Sequence, residues 1–105
     1  MEITEYIKAA MREEGVTQIE LGKRTGLTRQ SVFDMLSRAN PNFVTVRRVF
    51  NALGREIDIE RKDGQPIEFD KTAFYDLMAE QTPCYGKLNS LLDFLGYRLV
   101  FTKMQ

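Results

Sequence analysis

The tightest constraint in this 105-residue chain lies between Val16 and Thr28. Thr17 followed three residues later by Glu20 forms a capping box, in which each side chain satisfies a backbone N–H at a helix start. Val16, just ahead of the cap, supplies the staple residue. Gly26 ends that helix after Thr25, and Leu27 alone separates the stop from the next cap, Thr28. The chain must therefore place two short helices on either side of a nearly minimal turn.

The same reasoning extends in both directions. Ile3, Tyr6, Ile7, Ala10 and Met11 share one face of a first helix over about Glu2–Glu14, which Gly15 stops. Thr28 opens a third helix to about Arg38, with Val32, Met35 and Leu36 inward. Asn40-Pro41-Asn42 reads as a loop. Thr45 reads as the cap of a fourth helix through Leu53, presenting Val46, Val49, Phe50 and Leu53 and closed by Gly54.

After Gly54 the apolar period changes to two. Glu56-Ile57-Asp58-Ile59-Glu60 alternates, as a strand with one wet and one buried face does. Lys62-Asp63-Gly64 marks a turn, and Pro66–Phe69 reads as a short return strand. Two helices follow, about Lys71–Gln81 and Tyr85–Leu95, divided by Pro83, and a strand over Tyr97–Lys103 closes the pattern. The expected fold class is mainly α with a small β element.

The second half resembles part of the first. Thr28–Arg61 lies on Asp70–Lys103 without gaps at an offset of 42, with Asp34/Asp76, Pro41/Pro83, Leu53/Leu95 and Gly54/Gly96 identical. The apolar register agrees further, through Val32/Phe74, Met35/Leu77, Leu36/Met78, Phe43/Tyr85, Val46/Leu88, Val49/Leu91, Phe50/Leu92, Ile57/Leu99 and Ile59/Phe101. Both copies run helix, proline loop, helix, Leu-Gly, strand. The expected organisation is a four-helix unit over residues 1–55 and a strand–helix–helix–strand module over 56–105, a degenerate partial repeat of 28–61. The second copy lacks counterparts of the first two helices, and Arg38, Arg47 and Arg48 face Glu80, Asn89 and Ser90. It reads as a structural or dimerising module.

Charge separates the halves. The net charge of zero divides into +3 over residues 1–55 and −3 over 56–105, and between Lys23 and Arg48 only Asp34 opposes six bases. A localised basic segment of this kind is the footprint of a phosphate-binding face. The chain has no histidine and one cysteine, Cys84, which reads as a small buried hydrophobe. Without histidine the commonest general acid–base and metal ligand are missing. No phosphate-cradling glycine loop or nucleophile motif replaces them. The expectation is a non-enzyme without cofactor or metal. No apolar run reaches the ~20 residues of a membrane span, and no signal-peptide core opens the chain, so a cytoplasmic location is expected.

The segment Gln18–Leu36, QIELGKRTGLTRQSVFDML, resembles the helix-turn-helix of the phage repressor/Cro family, the Xre-like regulators. Gly22 stands where that family's helices cross and a very small residue, usually alanine, is needed. Gly26 stands at the turn, where a positive φ penalises a side chain. Leu21, Leu27, Val32 and Met35 match its buried positions. The resemblance covers about residues 3–55.

It implies double-stranded DNA as partner and a recognition helix whose N-terminal residues meet base edges. The candidate base readers are Thr28, Arg29, Gln30, Ser31 and Asp34. Arginine pairs bidentately with guanine and glutamine with adenine. Thr28 and Ser31 are divided between phosphate and thymine methyl. Asp34 either accepts from a cytosine amine or excludes wrong bases and orients Arg38. The family's phosphate contact at the start of the second helix maps to Gln18, and Lys23, Arg38, Asn40 and Arg47 are further phosphate candidates.

One such helix reads few base pairs, so a homodimer on a palindromic operator is expected. Ile57, Ile59, Leu99, Val100 and Phe101 are the candidate dimerisation residues, with the two strands pairing either with each other or across a dimer axis. The leading reading is a transcriptional repressor or autoregulator. One alternative is an antitoxin whose C-terminal half holds a toxin protein. Another is a protein-interaction module that has lost DNA.

Overall fold

The computed structural model of the protein describes residues 2–37 and 41–104. Among these the elements run α1 (Ile3–Glu14), α2 (Gln18–Thr25), α3 (Arg29–Ser37), α4 (Phe43–Ala52), β1 (Arg55–Arg61), α5 (Lys71–Gln81), α6 (Tyr85–Phe94) and β2 (Tyr97–Lys103). The helix boundaries follow local chemistry. Gly15 adopts φ 66° and donates its N–H to the carbonyls of Met11 and Arg12, closing α1. Thr17 Oγ1 accepts from the Glu20 N–H at 3.2 Å to open α2.

Two boundaries differ from the sequence expectation. Asn42 caps α4 where Thr45 was expected: its Oδ1 accepts from the Val44 N–H at 2.8 Å, so Thr45 falls inside the first turn. Pro66–Phe69 forms no strand. The ladder of β1 is taken along its full length by β2, and Pro66 has no N–H to offer a further one. Phe69 instead packs its ring against Phe74 and Tyr97, with centroids 5.6 and 5.4 Å apart.

β1 and β2 pair antiparallel within the chain, Ile57 opposite Phe101 and Ile59 opposite Leu99. The centre of the ladder is Asp58 opposite Val100, its own counterpart at the offset of 42 (Arg55 to Tyr97, Phe43 to Tyr85). Reciprocal bonds repeat this relation. Phe43 N–H donates to the Pro83 carbonyl at 2.9 Å, and Tyr85 N–H to the Pro41 carbonyl at 2.8 Å. At the strand ends, Lys62 N–H reaches the Gly96 carbonyl and Met104 N–H the Gly54 carbonyl, both at 2.9 Å. A local two-fold relation thus links the start of α4 and β1 to the start of α6 and β2, with its axis near the Asp58/Val100 pair and the Asn42/Cys84 bridge.

The core is continuous across that axis. Ile7, Leu21, Val32, Phe43, Val46, Val49, Phe50, Leu53 and Ile57 are buried in one cluster with Leu88 and Leu92. α1 and α2 both pack on α3 and α4. Arg55, buried at the start of β1, binds the Glu13 and Glu14 carboxylates and the Leu53 carbonyl, which ties the end of α1 to the ribbon. Among the described residues no helix is long and apolar enough to cross a membrane.

Candidate nucleic-acid interface

The α2–turn–α3 unit is held from inside. Thr25, buried at the end of α2, donates its hydroxyl to the Leu21 carbonyl at 2.8 Å and accepts from the Leu27 N–H at 3.2 Å. Gly26 adopts φ 74°, a left-handed conformation in which a β-carbon is penalised, and donates to the Gly22 carbonyl at 2.9 Å. Where the helices cross, a Cβ on Gly22 would stand 3.2 Å from the Leu27 carbonyl oxygen and 3.8 Å from Val32 Cγ2. The crossing is therefore closer than a larger side chain permits.

This frame fixes which side of α3 faces outward. Thr28 Oγ1 accepts from the Ser31 N–H at 3.1 Å and donates to Ser31 Oγ at 2.8 Å, capping α3. Arg29 and Gln30 follow, both exposed, while Val32, Met35 and Leu36 are buried. Gln30 Nε2 donates to Asp34 Oδ1 at 2.9 Å, one turn along the same face. Phe33 lies one turn beyond Arg29 and is 55% exposed. Its helix-face neighbours Arg29, Gln30 and Ser37 are polar and exposed.

A basic depression borders this face. Arg24, Arg47, Arg48 and Asn51 line it between α2 and α4. Arg24 is held by Glu20 at 3.2 Å and by the Ala52 carbonyl at 3.3 Å. Arg47 pairs with Glu56 at 3.5 Å and lays its guanidinium 3.9 Å from the Tyr75 ring centroid. Arg48, Arg29 and Lys23 are exposed, and none takes part in an ion pair among the described residues.

The helix-turn-helix family model matches residues 7–59, half of the chain, and spans α1 to β1. The chain belongs to the Xre/Cro-like helix-turn-helix family. It is also similar to an uncharacterized HTH-type transcriptional regulator of Methanothermobacter thermautotrophicus, 39% identical over 51 residues that cover 48% of this chain and 74% of the relative. No solved structure matches it.

Within this helix-turn-helix frame the candidate residues separate into groups. Thr28, Arg29, Gln30 and Ser31 lie together, exposed, on the first turn of α3, with Asp34 half-buried behind them. Gln18 and Lys23 are exposed on α2. Arg47 is engaged by Glu56 and Tyr75, so it is more constrained than the exposed Gln18 and Lys23. Arg38 and Asn40 lie outside the described residues.

The candidate dimerisation residues are used within one chain. Ile57 and Ile59 are buried, and Leu99 and Phe101 pack against the same core from the opposite strand. Phe101 stacks on Phe50, with centroids 4.8 Å apart. Val100, half-buried, pairs with Asp58 at the centre of the ladder.

Phe33 and Arg48 join the site only in the structure. The helical spacing from Arg29 to Phe33 places both on one face and could have exposed the first. Arg48 could not be told from Arg47 by charge alone; which of them points away from Glu56 depends on the packing of β1.

Proposed function

We propose that the protein is a transcriptional regulator that inserts α3 into the DNA major groove and acts as a repressor or autoregulator. What carries the reading is the exposed cap and first turn of α3, Thr28 to Ser31, projecting from a close helix crossing inside a family-matched segment. Arg29 is the leading base reader, suited to a guanine edge. Gln30, held by Asp34, presents the rest of its amide to an adenine. Phe33 is apolar at a distance of one turn and suits a thymine methyl. Gln18, Lys23 and Arg48 contact phosphates, which position the helix and carry no sequence information.

Two copies bind a palindromic operator, because one α3 reads only one half-site and the half-sites lie about one helical turn apart, ~34 Å. The name of the archaeal relative agrees with a regulator, and the acid-rich second half keeps the basic face localised.

The test is fluorescence anisotropy on the duplex upstream of the chain's own gene and on a scrambled duplex, across several salt concentrations. About six to eight phosphate contacts predict a log–log salt slope near −5 to −7. Arg29→Ala with Gln30→Ala should remove the preference for the native duplex and leave most non-specific binding. Absence of binding to either duplex at low salt would overturn the reading.

A further inference from the structure

The local two-fold axis permits a comparison of equivalent faces. In the first unit Met35, Val49 and Leu53 lie beneath α1 and α2, exposed by only 4, 0 and 1%. Their counterparts at the sequence offset of 42, Leu77, Leu91 and Leu95, are 48, 55 and 57% exposed. With Phe74, Met78 and Tyr97 they line an open apolar groove of about 560 Å³ between α5 and α6. Phe94, beside them on α6, is 85% exposed. A surface that is core in one unit is bare in the other, and apolar patches of this kind mark interaction sites.

We infer that this groove seats a second copy of the chain, the two α5–α6 faces packing on each other about a two-fold axis. The cover cannot be α1 or α2 of the second copy, because Ile3, Ile7, Ala10, Met11 and Leu21 are buried in that copy's own core. The facing edges of β1 and β2 are already paired with each other within each chain. A second copy offers the same bare α5–α6 face, with Leu77, Leu91, Phe94 and Leu95 exposed together, and packing the two on each other makes the contact isologous.

The rim allows self-facing. Lys87, one turn before Leu91, and Glu80, next to Leu77 on the helix surface, are both exposed, and neither forms an ion pair among the described residues. A rim of both signs meets opposite charge in its twin, where a rim of one sign would meet only its like. The basic segment from Lys23 to Arg48 belongs to the other unit and stays open to DNA. The inference rests on the proposed two-fold reading of DNA for its purpose, since the second half-site needs a second α3.

Sedimentation equilibrium on the full chain from 1 to 100 µM tests it, with wild type, Leu77→Glu, Leu91→Glu and the surface control Met104→Glu. Wild type and control should sediment as dimers. Each groove variant should dissociate at least about thirtyfold more readily, the loss expected of a central interface residue. Circular dichroism should show both variants folded, since each site is about half exposed. A monomeric wild type, or a dimer that persists in both groove variants, would overturn the inference. A wild-type dimer that binds no DNA at low salt removes the DNA reading and leaves the seat standing. A monomeric Leu91→Glu that still binds a single half-site supports both.

Discussion

Replacing Gly22 by alanine and by valine tests how close the α2–α3 crossing is. A Cβ there meets Val32 Cγ2 at 3.8 Å, ordinary van der Waals contact, and the Leu27 carbonyl oxygen at 3.2 Å, tight by a few tenths of an ångström. Alanine recovers about 1 kcal/mol of helix propensity. Against that, the Leu27 carbonyl must shift slightly, and its residue is anchored by the bond from its N–H to Thr25 Oγ1. The expected balance is a gain of roughly 0–1 kcal/mol, with the DNA-binding face undisturbed. Valine adds two methyl groups beyond the same Cβ, and overpacking of this kind costs about 1–3 kcal/mol. Urea denaturation at fixed protein concentration measures both, as midpoint shifts at constant slope. Valine within about 0.5 kcal/mol of alanine would refute the close crossing. A loss of more than about 1 kcal/mol for alanine would show that the turn cannot yield even by tenths of an ångström.

Three further outcomes follow from the contacts. Arg55→Ala removes a buried guanidinium whose carboxylate partners, Glu13 and Glu14, reach solvent and rehydrate; the expected loss is about 1.5–3 kcal/mol, read by urea denaturation. Asn42→Ala removes both the α4 cap and the bond from Nδ2 to the Thr82 carbonyl at 3.0 Å; about 1–2 kcal/mol is expected in the same assay. Burial, and secondarily the charge of Tyr6, push the Tyr85 hydroxyl up to about 12. Its folded value lies above the unfolded value near 10, so the associated stability is complete below pH ~10 and lost as pH rises towards 12. Partial exposure of the ring reduces the loss to about 1–2 kcal/mol. Stability between pH 8 and 12 should fall more in wild type than in Tyr85→Phe, and parallel curves would contradict the assignment.

The helix ends were legible wherever a single residue dictates them. Gly15 and Gly26 adopt the left-handed conformation that stops a helix, and Thr17 caps the next one. Both strands were legible from a period of two. The α4 cap was not, because Asn42 and Thr45 are each competent caps. The choice falls to Asn42 through a long-range fact: the Phe43 N–H is bound by the Pro83 carbonyl across the local two-fold axis. The supposed return strand at Pro66–Phe69 failed for a similar reason, since the pairing partner of β1 lies more than thirty residues further along. At the candidate site, the outward positions of α3 followed from helical spacing. The engagement of Arg47 by Glu56 and Tyr75 did not, because it depends on where β1 and α5 pack.

The repeat carries the deeper argument. Strands that alternate as β1 and β2 do could join two chains across an axis, and here the chain closes that axis on itself, with Asp58 opposite its counterpart Val100. Once the pairing is internal, the two units no longer need the same surface. The first has α1 and α2 over its apolar face and carries the basic segment; the second lacks that cover and carries the acidic excess. The zero net charge of the chain is therefore the sum of a basic first half and an acidic second half. On the proposed reading, the basic half meets phosphate and the bare apolar face of the other meets its own copy. The order of assembly then has a consequence. If the groove forms the dimer, a groove variant should weaken operator binding by removing the second α3 while leaving the salt slope per half-site unchanged. A base-reading variant should do the reverse, keeping the dimer and losing the preference for sequence.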